Sequence, residues 1–141
     1  MATRGISLRF TAVGARVRNQ ISKLLVDPDR VIEDVVLYSD DFAGDIVDRL
    51  KDYPPPPPNS KYVRTGDLGR GWKKRESHAA GNISFVIYNN VTDPRGRYYA
   101  SYVQGPDQVA IHEETGWITL QEAMDRAKFA SGVQRIIKSF V

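Results

Sequence analysis

The chain has 141 residues, 41% of them hydrophobic, with 20 basic against 17 acidic side chains and no cysteine. That length suits one domain with a core of its own. Without cysteine there is no disulfide framework, no thiolate zinc site and no thiol nucleophile, and two histidines are a poor basis for a structural metal. No apolar run reaches the roughly 20 residues of a membrane-spanning helix, and the N-terminus lacks the apolar stretch of a secretory signal, so a soluble protein is expected.

Charge is segregated along the chain. Residues 1 to 26 carry Arg4, Arg9, Arg16, Arg18 and Lys23 with no acid, whereas Asp27 to Asp52 hold nine acids against Arg30, Arg49 and Lys51. Such blocks serve as solvated faces or pair head to tail between copies and with neighbours in an assembly. An acid-free, arginine-bearing start is also compatible with a transit peptide, but Ile6, Leu8 and Phe10 alternate with Ser7 and Arg9 as a strand does.

From Ile6 to Phe10 the pattern predicts a short strand. Thr11 to Val26 is ambiguous, with Val17, Ile21, Leu24 and Leu25 at helical spacing. Asp27-Pro28 is a helix start, because Asp accepts from orphan amides and Pro fits the first helical position. Val31, Val35, Phe42, Ile46 and Leu50 then share one stripe of a long helix that proline stops near Tyr53. Gly44 inside it costs about 1 kcal/mol relative to alanine and marks a candidate close contact.

Five prolines, Pro54 to Pro58, predict a polyproline II strut of roughly 3.1 Å per residue. Runs of this kind are ligands for aromatic-lined modules or, between a helix and a basic loop, mechanical spacers. Beyond it lie Lys61, Arg64, Arg70, Lys73, Lys74 and Arg75 against Asp67 and Glu76, with Trp72 as the large aromatic anchor. Residues 54–75 are therefore expected to be an extended, proline-rich and basic loop within the single domain. Thr65 is placed to cap a short turn that carries Leu68 and Trp72 inward.

Ile83 to Val91 is apolar on both faces, as a buried strand requires. After the turn residues Asp93-Pro94-Arg95-Gly96, the tyrosines of Tyr98 to Val103 predict a second strand and a hairpin. Gly105-Pro106-Asp107 turns the chain again. Thr119-Leu120-Gln121-Glu122 is a capping box opening a C-terminal helix, with Leu120, Ala123, Ala127, Ala130, Val133, Ile137 and Phe140 as its core stripe. The fold class is α+β: an antiparallel sheet with the long helix and the C-terminal helix packed on it.

Little in the chain reads as catalysis. Gly66-x-x-Gly69-x-Gly71 lacks the order and the Gly-Lys-Ser/Thr ending of a phosphate loop. His78 and His112-Glu113-Glu114 have no histidine at i+4, and Asp40 and Asp41 project about 100° apart on a helix. A hydrolase or nuclease needs a convergent acid cluster and a metal, which these residues do not display. The cations around Trp72 and the hairpin tyrosines permit a small DNA-contacting module, the alternative reading, and non-specific contact with passing DNA.

Tyr53-Pro54-Pro55, followed by Tyr62-Val63-Arg64-Thr65-Gly66-x-Leu68-Gly69-Arg70-x-Trp72, resembles the tail-completion, or head-tail neck, proteins of long-tailed (siphovirus-like) bacteriophages. Tyr99-Ala100-x-Tyr102-Val103-x-Gly105, Gln108-x-Ala110-x-His112 and Gly116-Trp117 are similar to that family's later pattern. The likeness covers residues 30 to 140, and the chain departs from it in the five-proline run and the basic first 26 residues. It implies a structural virion protein of α+β fold with no catalytic residue and no cofactor. Such a protein forms a ring, commonly sixfold, that connects the tail tube to the head connector, and is assembled in the bacterial cytoplasm. Its partners are copies of itself and other neck, connector and tail-tube proteins, not a membrane. Arg64, Thr65, Leu68, Arg70 and Trp72 are the expected subunit or partner interface, with the two arginines reaching carboxylates such as those of Asp27 to Asp52.

Overall fold

A computed structural model describes residues 5–52, 54, 67–92, 95–98, 100–106, 108, 110–114 and 116–141. The element order is β1 (Ile6–Val13), α1 (Ala15–Ser22), α2 (Pro28–Lys51), α3 (Asp67–Arg70), β2 (Lys73–Ala79), β3 (Asn82–Asn89), α4 (Ala100–Gln104), α5 (Ala110–Glu114), α6 (Leu120–Ala123) and α7 (Arg126–Lys138). The strands form one antiparallel sheet in the order β1-β3-β2, and the fold is α+β. Sequence pattern follows position in the sheet: β3 is central and buries Ile83, Phe85, Val86 and Ile87, while β1 alternates buried Ile6, Leu8 and Phe10 with exposed Ser7, Arg9 and Thr11.

The hairpin differs from the expected one. β3 pairs with β2, Lys73–Ala79, through Ala80 and Gly81, both at positive φ (52° and 80°), as a two-residue primed turn requires. Consequently residues 67–75 are a helical turn and a strand, not a continuation of the extended loop. Tyr98 makes an isolated antiparallel bridge with Thr92, and Ala100–Gln104 is a helix where a strand was expected. Among the described side chains Ala100, Val103 and Gln104 are buried, an i, i+3, i+4 spacing that suits a helix and overrides the strand preference of the segment.

By mutual contact the chain falls into two units, one of residues 1–8, 46–73 and 87–124, the other of residues 9–45, 74–86 and 125–141. In the second unit, β1, β3, α2 and α7 meet at a cluster of rings. Phe10 stacks on Phe85 with centroids 5.8 Å apart and meets Phe129 edge-on at 4.8 Å, while Phe42 lies 5.1 Å from Phe129. Here the two helices pack on one face of the sheet. α2 begins as its sequence indicates, with the Asp27 carboxylate accepting from the Asp29 amide at 3.0 Å. All five residues of its apolar stripe are buried.

The C-terminal helix is interrupted. Met124 is extended (φ −92°, ψ 106°), and Asp125 caps a new helix by accepting from the Lys128 amide at 2.9 Å. This resets the helical phase, so Ala127 and Ala130, expected in the core, are exposed, and Phe129, Val133 and Ile137 are buried. Gly132 lies against Tyr38, whose ring occupies the space a Cβ would need. Tyr38 in turn donates to the Lys128 carbonyl at 3.4 Å. Gln20 on α1 and Gln134 on α7 exchange amide hydrogen bonds.

In the first unit, the capping box of α6 is complete: Thr119 Oγ1 accepts from the Glu122 amide at 3.1 Å, and Glu122 Oε1 accepts from the Thr119 amide at 3.2 Å. Arg49 donates to the Ala123 carbonyl at 2.6 Å, satisfying a group that the end of α6 leaves without a helical partner.

Candidate functional site

The segment around α3, in the first unit, contains three of the five residues expected at an interface. Arg64 and Thr65 lie outside the described residues, as does the run Pro55 to Pro58. Leu68 and Trp72 are 7% and 2% exposed, so they belong to the subunit's own core; Arg70, between them, is exposed. One helical turn explains the division. Gly71 donates to the Leu68 carbonyl and Trp72 to that of Gly69, both at 3.2 Å, which folds the chain tightly enough to send the apolar side chains in and Arg70 out.

Two buried amides fix this turn. Gln104, 1% exposed, accepts from the Trp72 indole through Oε1 at 3.1 Å and donates through Nε2 to the Leu50 carbonyl at 3.0 Å. Leu50 is in the last turn of α2, where carbonyls have no helical partner, so one side chain satisfies a helix end and orients the indole. Asn89, fully buried, donates to the Leu68 carbonyl at 2.8 Å and accepts from the Val91 amide at 3.0 Å. Burying an amide with its hydrogen bonds made costs little, and removing one partner costs about 1–3 kcal/mol. Gly71 is required beside them, since a Cβ there would overlap Val91 and crowd the Asn89 amide.

The second segment of the family resemblance is also built by an amide. Gln108 Nε2 donates to the carbonyls of Val103 and Trp117, each at 2.8 Å, and the His112 ring meets Trp117 edge-on at 6.0 Å. His112 is thereby part of a loop's packing. Elsewhere, in the second unit, Lys74 binds the Asp40 carboxylate at 2.7 Å, and His78 lies 2.6 Å from Glu76. The basic run of Lys73 to Arg75 is thus strand β2, with Lys74 committed to α2. Burial, the largest influence, raises the Tyr38 phenol above its ordinary value, with Asp45 adding to the rise and Arg135 opposing it.

Among the described residues no group of three or more His, Asp or Glu is gathered as a metal site, and no helix is long and apolar enough to cross a membrane. The two amides escaped sequence reading, although each is a polar residue beside apolar ones: Asn89 closes an apolar strand, and Gln104 follows Tyr102-Val103. Compared with known protein families, characterised proteins and solved structures, the chain has no match.

Proposed function

We propose that the chain is a structural subunit of the neck or tail end of a long-tailed phage particle, forming a ring that joins the tail tube to the head connector. The observation carrying this reading is the division of labour among Leu68, Arg70 and Trp72 in and just after the turn α3. Leu68 and Trp72 are fastened into the subunit by Gln104 and Asn89, and Arg70 is directed to the exterior of that turn. A rigid base under an exposed arginine suits an assembly contact, because a guanidinium held by a fixed backbone loses little freedom when it takes a carboxylate. The chain supplies no catalytic residue in this role. Antibody labelling of purified particles, read by electron microscopy, tests the proposal: label is expected at the head-tail junction, and a chain missing from purified particles overturns it.

A further inference from the structure

The second unit has two chemically opposite faces. Because Phe42 and Phe129 cover the Phe10 and Phe85 side of the sheet, α2 and α7 form one layer, and the other side of the strands is the outer face of the second layer. Lys74 reaches Asp40 on α2, so alternation turns Arg75 and Ser77 to the open side. Arg9 confirms it, donating to Ser77 Oγ at 3.4 Å from the far edge strand and therefore lying across β3. This open face presents Arg9, Arg75 and Thr11, with Val86 buried beneath them. Among the described residues of the unit's strands, the sole carboxylate, Glu76, faces the helices.

The outer side of α2 is the reverse. Leu37 is 58% exposed and is surrounded, at one-turn spacing, by exposed Glu33, Asp34 and Asp41, on the side of the helix away from buried Val31, Val35 and Phe42. Arg30 on the same side is held 5.7 Å over the Phe140 ring. A leucine ringed by carboxylates matches a sheet face of arginines, whose aliphatic stems can take an apolar side chain while their guanidinium groups take carboxylates.

We infer that the open face of the sheet in one copy docks on the outer face of α2 in the next, with Arg9 and Arg75 meeting Glu33, Asp34 and Asp41, and Leu37 lying against the aliphatic stems of those arginines. The inference rests on the ring reading and specifies its contact. Since the two surfaces lie on opposite sides of one unit, the contact is heterologous. It passes from each copy to the next and closes as a ring when the rotation permits.

Charge exchange tests this. Arg9→Glu with Arg75→Glu leaves both faces acidic, and Glu33→Lys with Asp34→Lys and Asp41→Lys leaves both basic, so each variant alone should associate at least tenfold more weakly than the wild type. In an equimolar mixture every contact again joins opposite charges, and association should return with the two forms alternating. Sedimentation of the full chain at low salt, and incorporation into particles on co-expression, read the outcome. Arg9→Lys with Arg75→Lys, which keeps the charge, should associate as the wild type does and guards against a folding defect. Variants that each associate or incorporate normally overturn this contact while leaving the neck reading intact; a wild-type chain never found in particles overturns the neck reading itself. A mixture that stays dissociated while the Arg→Glu form alone loses retention on DNA assigns the open face to nucleic acid and also overturns the inference.

Discussion

Replacing Trp72 with phenylalanine removes one hydrogen-bond donor and part of one ring from a site that is 2% exposed. Gln104 Oε1, buried beside it, then has lost its indole partner, at a cost of about 1–3 kcal/mol. The smaller ring leaves a gap in this buried site, adding about 1–2 kcal/mol. The sum, about 2–5 kcal/mol, corresponds to a fall in Tm of about 6–15 °C for a chain of this size. Urea unfolding followed by circular dichroism measures it directly. Gln104→Leu should be destabilising too, because it also strips the Leu50 carbonyl of its donor. As both variants break the same indole bond, the double variant should be more stable than the two separate losses predict, by about 1 kcal/mol or more. A Trp72→Phe cost below about 0.5 kcal/mol, with strictly additive behaviour in the double variant, would refute the claim that this amide holds the loop.

Two glycines should respond in opposite directions. Gly44→Ala should stabilise α2 by about 1 kcal/mol, since the added Cβ meets Lys74 Nζ at an ordinary 3.6 Å, whereas Gly71→Ala should cost about 1–3 kcal/mol through overlap with Val91; thermal melts distinguish the two. Tyr38 gives a pH signature. Its proton is held more tightly folded than unfolded, so its contribution is fully present below about pH 10 and is lost as pH rises past the ordinary value of 10.0 toward the raised one; Tyr38→Phe should flatten that part of the stability-pH curve measured by urea unfolding.

The elements legible in the sequence are those governed by local chemistry. Asp27-Pro28, the Val31-to-Leu50 stripe and the Thr119 capping box each depend on residues within a turn or two of one another, and each stands where the pattern indicates. Strand β2 was hidden because an exposed edge strand needs no apolar alternation: Lys-Lys-Arg-Glu-Ser-His-Ala buries almost nothing and is held by pairing with β3. The break at Met124 escaped because two extended residues shift helical phase without changing composition, which moved the core from Ala127 and Ala130 to Phe129. At the candidate site, the inward placement of Leu68 and Trp72 follows from hydrophobicity. Their partners do not, since Asn89 and Gln104 lie 21 and 32 residues away and reach the turn only after folding. Gly44, read as a close contact, has room for a methyl group.

In the proposed neck role Arg64 and Arg70 serve assembly, while Leu68 and Trp72 serve the fold. Arg64→Ala and Arg70→Ala, introduced into the phage together with a Tm measurement on the purified subunit, test that assignment most directly. The expected result is an unchanged Tm and particles that accumulate as separate heads and tails. Normal infectious particles from both variants would contradict it.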